Sequence, residues 1–229
     1  MFLSKNKQIP DSFQAFLVKN ATFTSKEEYP IIPLTMISQT IPDKICPFEK
    51  AIVSKEDLSD TFICSYSPDA SFERIRRNPS RYIPFFKRTA GMIGFDYSIH
   101  TDMPLVKQKA QMYDNLALTY YFGNNDIPII PNMRCGVRQL LPEFLSAIPT
   151  KSMVAIGTHG FIKNSQSKYE WYVFLEQIIA SLQPSTIIVY GSLRSSIFND
   201  LKNKTQFVFY KPWMNSRYKE SKNDHKRSK

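Results

Sequence analysis

From Asp60 onward the chain repeats one pattern: a short apolar run, a few polar or turn residues, then a longer stretch with apolar residues at helical spacing. The runs are Thr61–Tyr66, Met92–Tyr97, Ile127–Met133, Met153–Thr158, Thr186–Tyr190 and Gln206–Tyr210. Short, nearly continuous runs rich in Ile, Val and aromatic residues predict strands buried on both faces. Helices are predicted between them over Ala70–Lys87, Leu105–Phe122, Arg138–Ala147, Tyr169–Leu182 and Ser195–Lys202. The fourth is clearest, because Trp171, Leu175, Ile178 and Leu182 recur at helical spacing. Asp69 suits the N-cap of the first helix and Pro104 the first turn of the second, while Pro79 and Pro84 divide the first. Alternation of strand and helix predicts an α/β fold: a mainly parallel sheet of repeated β-α units, covered on both faces. About six units are too few for an eight-stranded barrel. An open layered sheet is therefore the first choice, ahead of a partial or irregular barrel.

Before Asp60 the pattern is weaker. Residues 1–28 are polar and weakly patterned, with a short apolar patch at Phe13, Phe16, Leu17 and Val18. Tyr29–Ser38 is richer in β-branched residues, but Pro30 and Pro33 keep it out of a sheet centre, and Pro42 and Pro47 hold the next stretch extended or turning. The expected organisation is an irregular lead over 1–58, packed on the main domain with room for one edge strand. An α/β domain follows over 59–211, and a basic, disordered tail over 212–229. No apolar run approaches the roughly 18 residues of a membrane span, and Met1–Lys19 lacks the apolar core of a secretory signal. Cys46, Cys64 and Cys135 form no C-x-x-C pair, which fits a reducing compartment. The expected location is the cytoplasm.

Composition adds that a core is feasible, with 42% hydrophobic residues in 229. Charge changes the picture more. Lys211, Arg217, Lys219, Lys222, Lys226, Arg227 and Lys229 face only two acidic residues over 211–229, so this stretch carries half of the net +10. Such a tail attracts phosphate polymers without regard to sequence, or it serves solubility alone.

In parallel α/β folds, ligands bind beyond the carboxyl ends of the strands. Here that edge is polar: Asp69 comes after the first run, the second ends in Asp96, Ser98, His100 and Asp102, and the third in Asn132, Arg134 and Cys135. The fourth ends in His159, and the fifth in Tyr190 and Ser192. Strand alternation points Asp96, Ser98 and His100 to one side. Carboxylates beside an imidazole suit a divalent metal such as Mg²⁺ or Mn²⁺, or a general acid–base pair. The bland reading is that Asp102 caps the helix near Pro104 and His100 satisfies a loop carbonyl. Asp96, His100, Asp102 and His159 are the catalytic candidates. Asp69, Ser98, Asn132, Arg134, Tyr190 and Ser192 are the ligand-binding ones, with Arg134 the best grip for a phosphate or carboxylate. Cys135 is a candidate nucleophile or a half-buried thiol. Tyr190-Gly191-Ser192 before a helix forms an anion-binding turn at most, since a single glycine meets neither a phosphate-loop nor a dinucleotide pattern. Zinc, serine-hydrolase, kinase and calcium-loop patterns are absent from the sequence.

Five segments carry a family resemblance: SFERIRRNPSRY (71–82), FDYSIHTDMP (95–104), NLALTYYFGNNDIPIIPNMRCG (115–136), SMVAIGTHG (152–160) and LQPSTIIVYGS (182–192). On them the chain resembles the domain-of-unknown-function family numbered 4417, found in bacteria and their phages and plasmids. The chain departs from the family pattern at Cys135, where tryptophan is expected, and at Asp114–Asn115, where an Asn-Arg pair is usual. The resemblance implies a mobile-element context and no assigned activity. Three functions compete: a mobile-element protein that binds nucleic acid or another phosphate-containing ligand through its tail and a polar cleft; a metal-dependent or acid–base enzyme acting on a nucleotide or nucleic-acid phosphate; and a protein-interaction module, with a host or phage protein as partner.

Overall fold

The β-branched and aromatic runs pair as strands, and among the described residues every pairing of one strand with another is parallel. In the computed structural model, which describes residues 11, 13–158, 165–191 and 196–213, the strands are β1 (Lys44–Pro47), β2 (Thr61–Cys64), β3 (Gly91–Ile93), β4 (Ile129–Ile130), β5 (Met153–Gly157), β6 (Thr186–Tyr190) and β7 (Gln206–Tyr210). They stand in chain order, β1-β2-β3-β4 in one ladder and β5-β6-β7 in a second. A parallel bridge between Asn132 and Ala155 joins the two. There the Met133 N–H donates to Ala155 O and the Ala155 N–H to Pro131 O, both at 2.8 Å. The fold is the expected mixed α/β class with a parallel, open sheet: among the described residues no ladder closes β7 onto β1.

Alternation assigns each strand two faces. One set, Cys46, Ile63, Met92, Ile129, Val154, Ile156, Ile187 and Val189, packs under helices. The other, Ile45, Phe62, Cys64, Ile93, Ile130, Met153, Ala155, Ile188 and Tyr190, forms a cluster of strand residues alone. Both faces are covered, the second by the sheet itself. Two rings prove the curl: Tyr66, two residues beyond β2, and Tyr190 of β6 stack at 5.2 Å although three strands stand between β2 and β6. A Cβ on Gly157 of β5 would meet the Tyr66 ring at 2.8 Å, so only glycine lets this ring cross the interior. The Tyr210 hydroxyl donates to Pro42 O, which draws β7 toward the entry to β1.

The helices are α1 (Phe48–Ala51), α2 (Glu73–Arg77), α3 (Ile83–Phe86), α4 (Leu105–Gly123), α5 (Leu141–Ser146), α6 (Ser165–Leu182) and α7 (Ser196–Asn199). The stretch 70–87 breaks where its prolines predict: a 3-10 turn at Pro79–Tyr82 separates α2 from α3, since proline has no N–H to continue a helix. Among the described residues no helix is long and apolar enough to cross a membrane.

Candidate ligand-binding cleft

The inward side chains change character along each strand. Phe62 and Cys64 give way to Tyr66, Ile130 to Asn132 and Arg134, and Ala155 to Gly157. Apolar groups fill the interior at the amino ends, and polar or aromatic ones crown the carboxyl ends. Above this crown lies a cleft of about 480 Å³, lined by residues at or just beyond the carboxyl end of every strand, among them Glu49, Lys50, Tyr66, Ser98, Gly157 and Trp213.

Asp96 and Arg134 face each other in it, Arg134 Nε standing 3.9 Å from Asp96 Oδ1, with side chains 16% and 20% exposed for Arg134 and Asp96. Asn132 Nδ2 donates to Asp96 Oδ1 at 2.8 Å and to Phe95 O at 3.2 Å, while Tyr66 Oη donates to Asn132 Oδ1 at 2.9 Å. The Asp96 N–H donates to Ser65 Oγ at 2.8 Å. Burial pushes the Asp96 carboxyl up to about 6, against the opposing pull of Arg134 and of the Asn132 hydrogen bond. Asp96 therefore changes charge close to neutral pH. On the far wall Tyr190, stacked on Tyr66, accepts the Trp213 N–H at 3.0 Å. Burial raises the Tyr66 and Tyr190 hydroxyls well above their ordinary range, so both are neutral donors or acceptors.

Helix α4 holds the segment that carries Asp96. The β3 ladder ends at Ile93, and from there Thr119 Oγ1 accepts the Phe95 N–H at 3.2 Å. Asn115 then takes the place of a neighbouring strand: its Oδ1 accepts the Tyr97 N–H at 2.9 Å and its Nδ2 donates to Tyr97 O at 3.2 Å. This exchange of partners slips the alternation by one residue, turning Phe95 outward to the helices and Asp96 inward.

Of the candidates, Asp96, Ser98, Arg134 and Tyr190 line the cleft. Asn132 stands behind Asp96. Asp69, rather than capping a helix, accepts both the backbone N–H (3.2 Å) and the hydroxyl (3.0 Å) of Ser98. His100 and Asp102 are exposed and line no part of the cleft. At roughly 3.3 Å per extended residue, His100 lies some 13 Å of chain beyond Asp96, and it has already entered the turn in which its carbonyl accepts the Met103 N–H. Asp102 does not cap α4, whose N-cap is Pro104 without a side-chain bond. His159 and Ser192 lie outside the described residues, as do Arg217, Lys219, Lys222, Lys226, Arg227 and Lys229. Lys211 is exposed. Among the described residues no three of His, Cys, Asp and Glu gather as a metal ion would need. Cys135 belongs to a separate pocket with Met133, Trp171 and Phe174. Burial pushes its thiol up to about 12, which leaves it protonated and a poor nucleophile at neutral pH.

Sequence reasoning missed Lys50, Tyr66 and Trp213 as lining residues, and Ser65, Asn115 and Thr119 as supports. The signal was there for Tyr66, which ends the first apolar run at the phase that turns inward.

Residues 23–211 match the family model described as "Domain of unknown function (DUF4417)". The chain is similar to the "Gene 1 protein" of Mycobacterium phage L5, 27% identical over 143 residues, covering 62% of each chain. It is also similar to the "Gene 1 protein" of Mycobacterium phage D29, 22% identical over 126 residues, 55% of this chain and 47% of that one. The chain thus spans less than two thirds of either relative's length. No solved structure matches it.

Proposed function

The chain belongs to the DUF4417 family, and we propose that it binds a phosphate-bearing ligand of the nucleotide or nucleic-acid class in the cleft at its strand ends. The observation that carries this reading is Arg134: an arginine whose side chain is only 16% exposed, in a concave site. Its planar fork matches phosphate oxygens, and partial desolvation strengthens its attraction for an anion. Lys50 adds a second cation at the rim, and Tyr66, Tyr190 and Trp213 supply planar apolar surface for a base. The basic tail serves the same ligand. Its first arginine, Arg217, stands four residues beyond Trp213 in the sequence. The phage relatives fit a mobile-element role.

A second reading is favoured by one observation. A carboxyl raised to about 6 beside an arginine is suited to proton transfer, which makes Asp96 the candidate acid or base of an enzyme acting on the same phosphate ligand.

Both readings share a pH signature. A phosphodiester keeps its single charge from about pH 5 to about pH 7.5, whereas Asp96 with its pKa raised to about 6 is a carboxylate above that value and neutral below it. The carboxylate repels the ligand and competes for Arg134, so affinity rises as pH falls. Calorimetry with the dinucleotide dTpdT is expected to show roughly tenfold tighter binding at about pH 5 than at about pH 7.5, about 1.4 kcal/mol. Asp96→Asn should bind at the higher pH as the parent does at the lower, with no pH dependence between. Binding by the parent that is flat or weakens toward low pH contradicts the reading.

A further inference from the structure

The tail is not the chain's only concentration of positive charge. Outside 211–229 the chain carries 23 basic and 18 acidic residues, a net +5. Residues 73–88 hold Arg74, Arg76, Arg77, Arg81, Lys87 and Arg88 against Glu73 alone, and so account for all of it. Their placement divides them. Arg76 is turned inward, ion-paired to Asp114 and over the Tyr97 ring. Lys87 and Arg88 lie near the amino ends of the strands, where the Ala90 N–H donates to Thr61 O at the start of β2. The other three, Arg74, Arg77 and Arg81, are exposed on α2 and the turn after it, the elements that descend from the cleft.

Phe48 connects these arginines to the cleft. Its ring carries the Arg74 guanidinium at 5.0 Å and packs edge-on against Tyr82 at 5.5 Å, next to Arg81 in sequence. Pro47, Glu49 and Lys50, its neighbours in the chain, line the cleft. Arg74 and Arg77 share a helix face, with Cβ atoms about 5–6 Å apart. Arg77, 79% exposed, meets Glu73 only at 3.9 Å, a pairing that solvent leaves weak. Among the described residues no carboxylate pairs with Arg81 within salt-bridge distance.

We propose that Arg74, Arg77 and Arg81, continued by Lys50, form a phosphate-tracking face along which a nucleic-acid strand runs into the cleft. The ligand is thereby a polynucleotide rather than a free nucleotide. Only the choice of phosphate as ligand chemistry rests on the reading of the cleft; the three arginines line no part of it, and Lys50 alone belongs to both. Guanidinium groups suit it because each presents several donors to phosphate oxygens, and a row of them contacts the backbone without reading bases.

The test compares two double variants that each remove two charges, Arg77→Gln/Arg81→Gln beside the cleft and Lys87→Gln/Arg88→Gln at the far end. The full chain is titrated with labelled oligo(dT) of about 20 nucleotides between about 50 and 200 mM salt. The first variant should lower the steepness of log affinity against log salt by about 1.4, roughly 0.7 per lost contact on a single strand, and the second should leave it unchanged. Unchanged thermal midpoints certify the fold of both. Equal effects from the two variants, no effect from the first, or equally good competition by polyglutamate of the same length would overturn the proposal. The dinucleotide dTpdT, too short to reach the face, keeps the two claims apart. Its loss on Arg134→Gln concerns the cleft alone, and the oligonucleotide result concerns the face alone.

Discussion

Replacement of Arg134 by glutamine is expected to weaken dTpdT binding by roughly 10- to 100-fold, about 1.5–3 kcal/mol, the usual worth of a charge-assisted hydrogen bond. The effect is large because of where the residue sits. At 16% exposure its guanidinium is partly screened from water by the strand-end crown, and Ile99 O at 3.4 Å helps to orient it. Glutamine retains a donor but no charge, so loss of binding reports electrostatics rather than shape. A second consequence follows from the same geometry. Arg134 lowers the Asp96 pKa, so its removal should carry the Asp96 midpoint above about 6. Titration of the Asp96 carboxyl carbon by NMR checks this. A midpoint that stays in place or falls would mean that the two groups do not sense each other.

Asn115→Ala should destabilise the protein by about 2–4 kcal/mol. Asn115 is buried and satisfies both the N–H and the carbonyl of Tyr97, itself buried among Phe72 and Phe95. Alanine leaves two backbone groups without partners where water has little access, and each such loss costs on the order of 1–3 kcal/mol. The urea midpoint of the variant, at unchanged slope, gives the value. Asn115→Asp keeps the acceptor and loses the donor, so its loss should fall between parent and alanine. A change under about 0.5 kcal/mol for alanine would show that Asn115 does not hold the segment carrying Asp96.

These two residues also mark how far the sequence could be read. Arg134 was legible, because an arginine just past an apolar run in a parallel α/β fold falls at the ligand-binding edge. The runs that became β5, β6 and β7 were legible nearly to the residue, since each holds at least four consecutive apolar or β-branched side chains. Lys44–Pro47 was not singled out: its inner pair, Ile45 and Cys46, gives too short a run, and proline ends it. Met92–Tyr97 looked continuous, yet the ladder stops at Ile93, because α4 supplies the next partners through side chains that no local pattern reveals. That early stop is why His100 and Asp102 fell outside a cleft that holds Asp96 and Ser98. The curl was hidden for a related reason. Strands buried on both faces show no polar face, so the sequence cannot say whether the second face meets helices or other strands. Only Gly157, placed to admit the ring of Tyr66, hints at the answer.

A phosphate-bearing ligand seated in the strand-end cleft must perturb the residues around Arg134. Titration of the isotope-labelled full chain with dTpdT, followed by chemical-shift mapping, reads this residue by residue. Saturable shifts are expected at the Arg134 side chain and at the backbone amides of Asp96, Ser98, Gly157 and Gly191, with little change at the Cys135–Trp171 pocket. Shifts confined to that pocket or to the basic tail, with the Arg134 side chain unmoved at saturation, would mean that the ligand binds elsewhere.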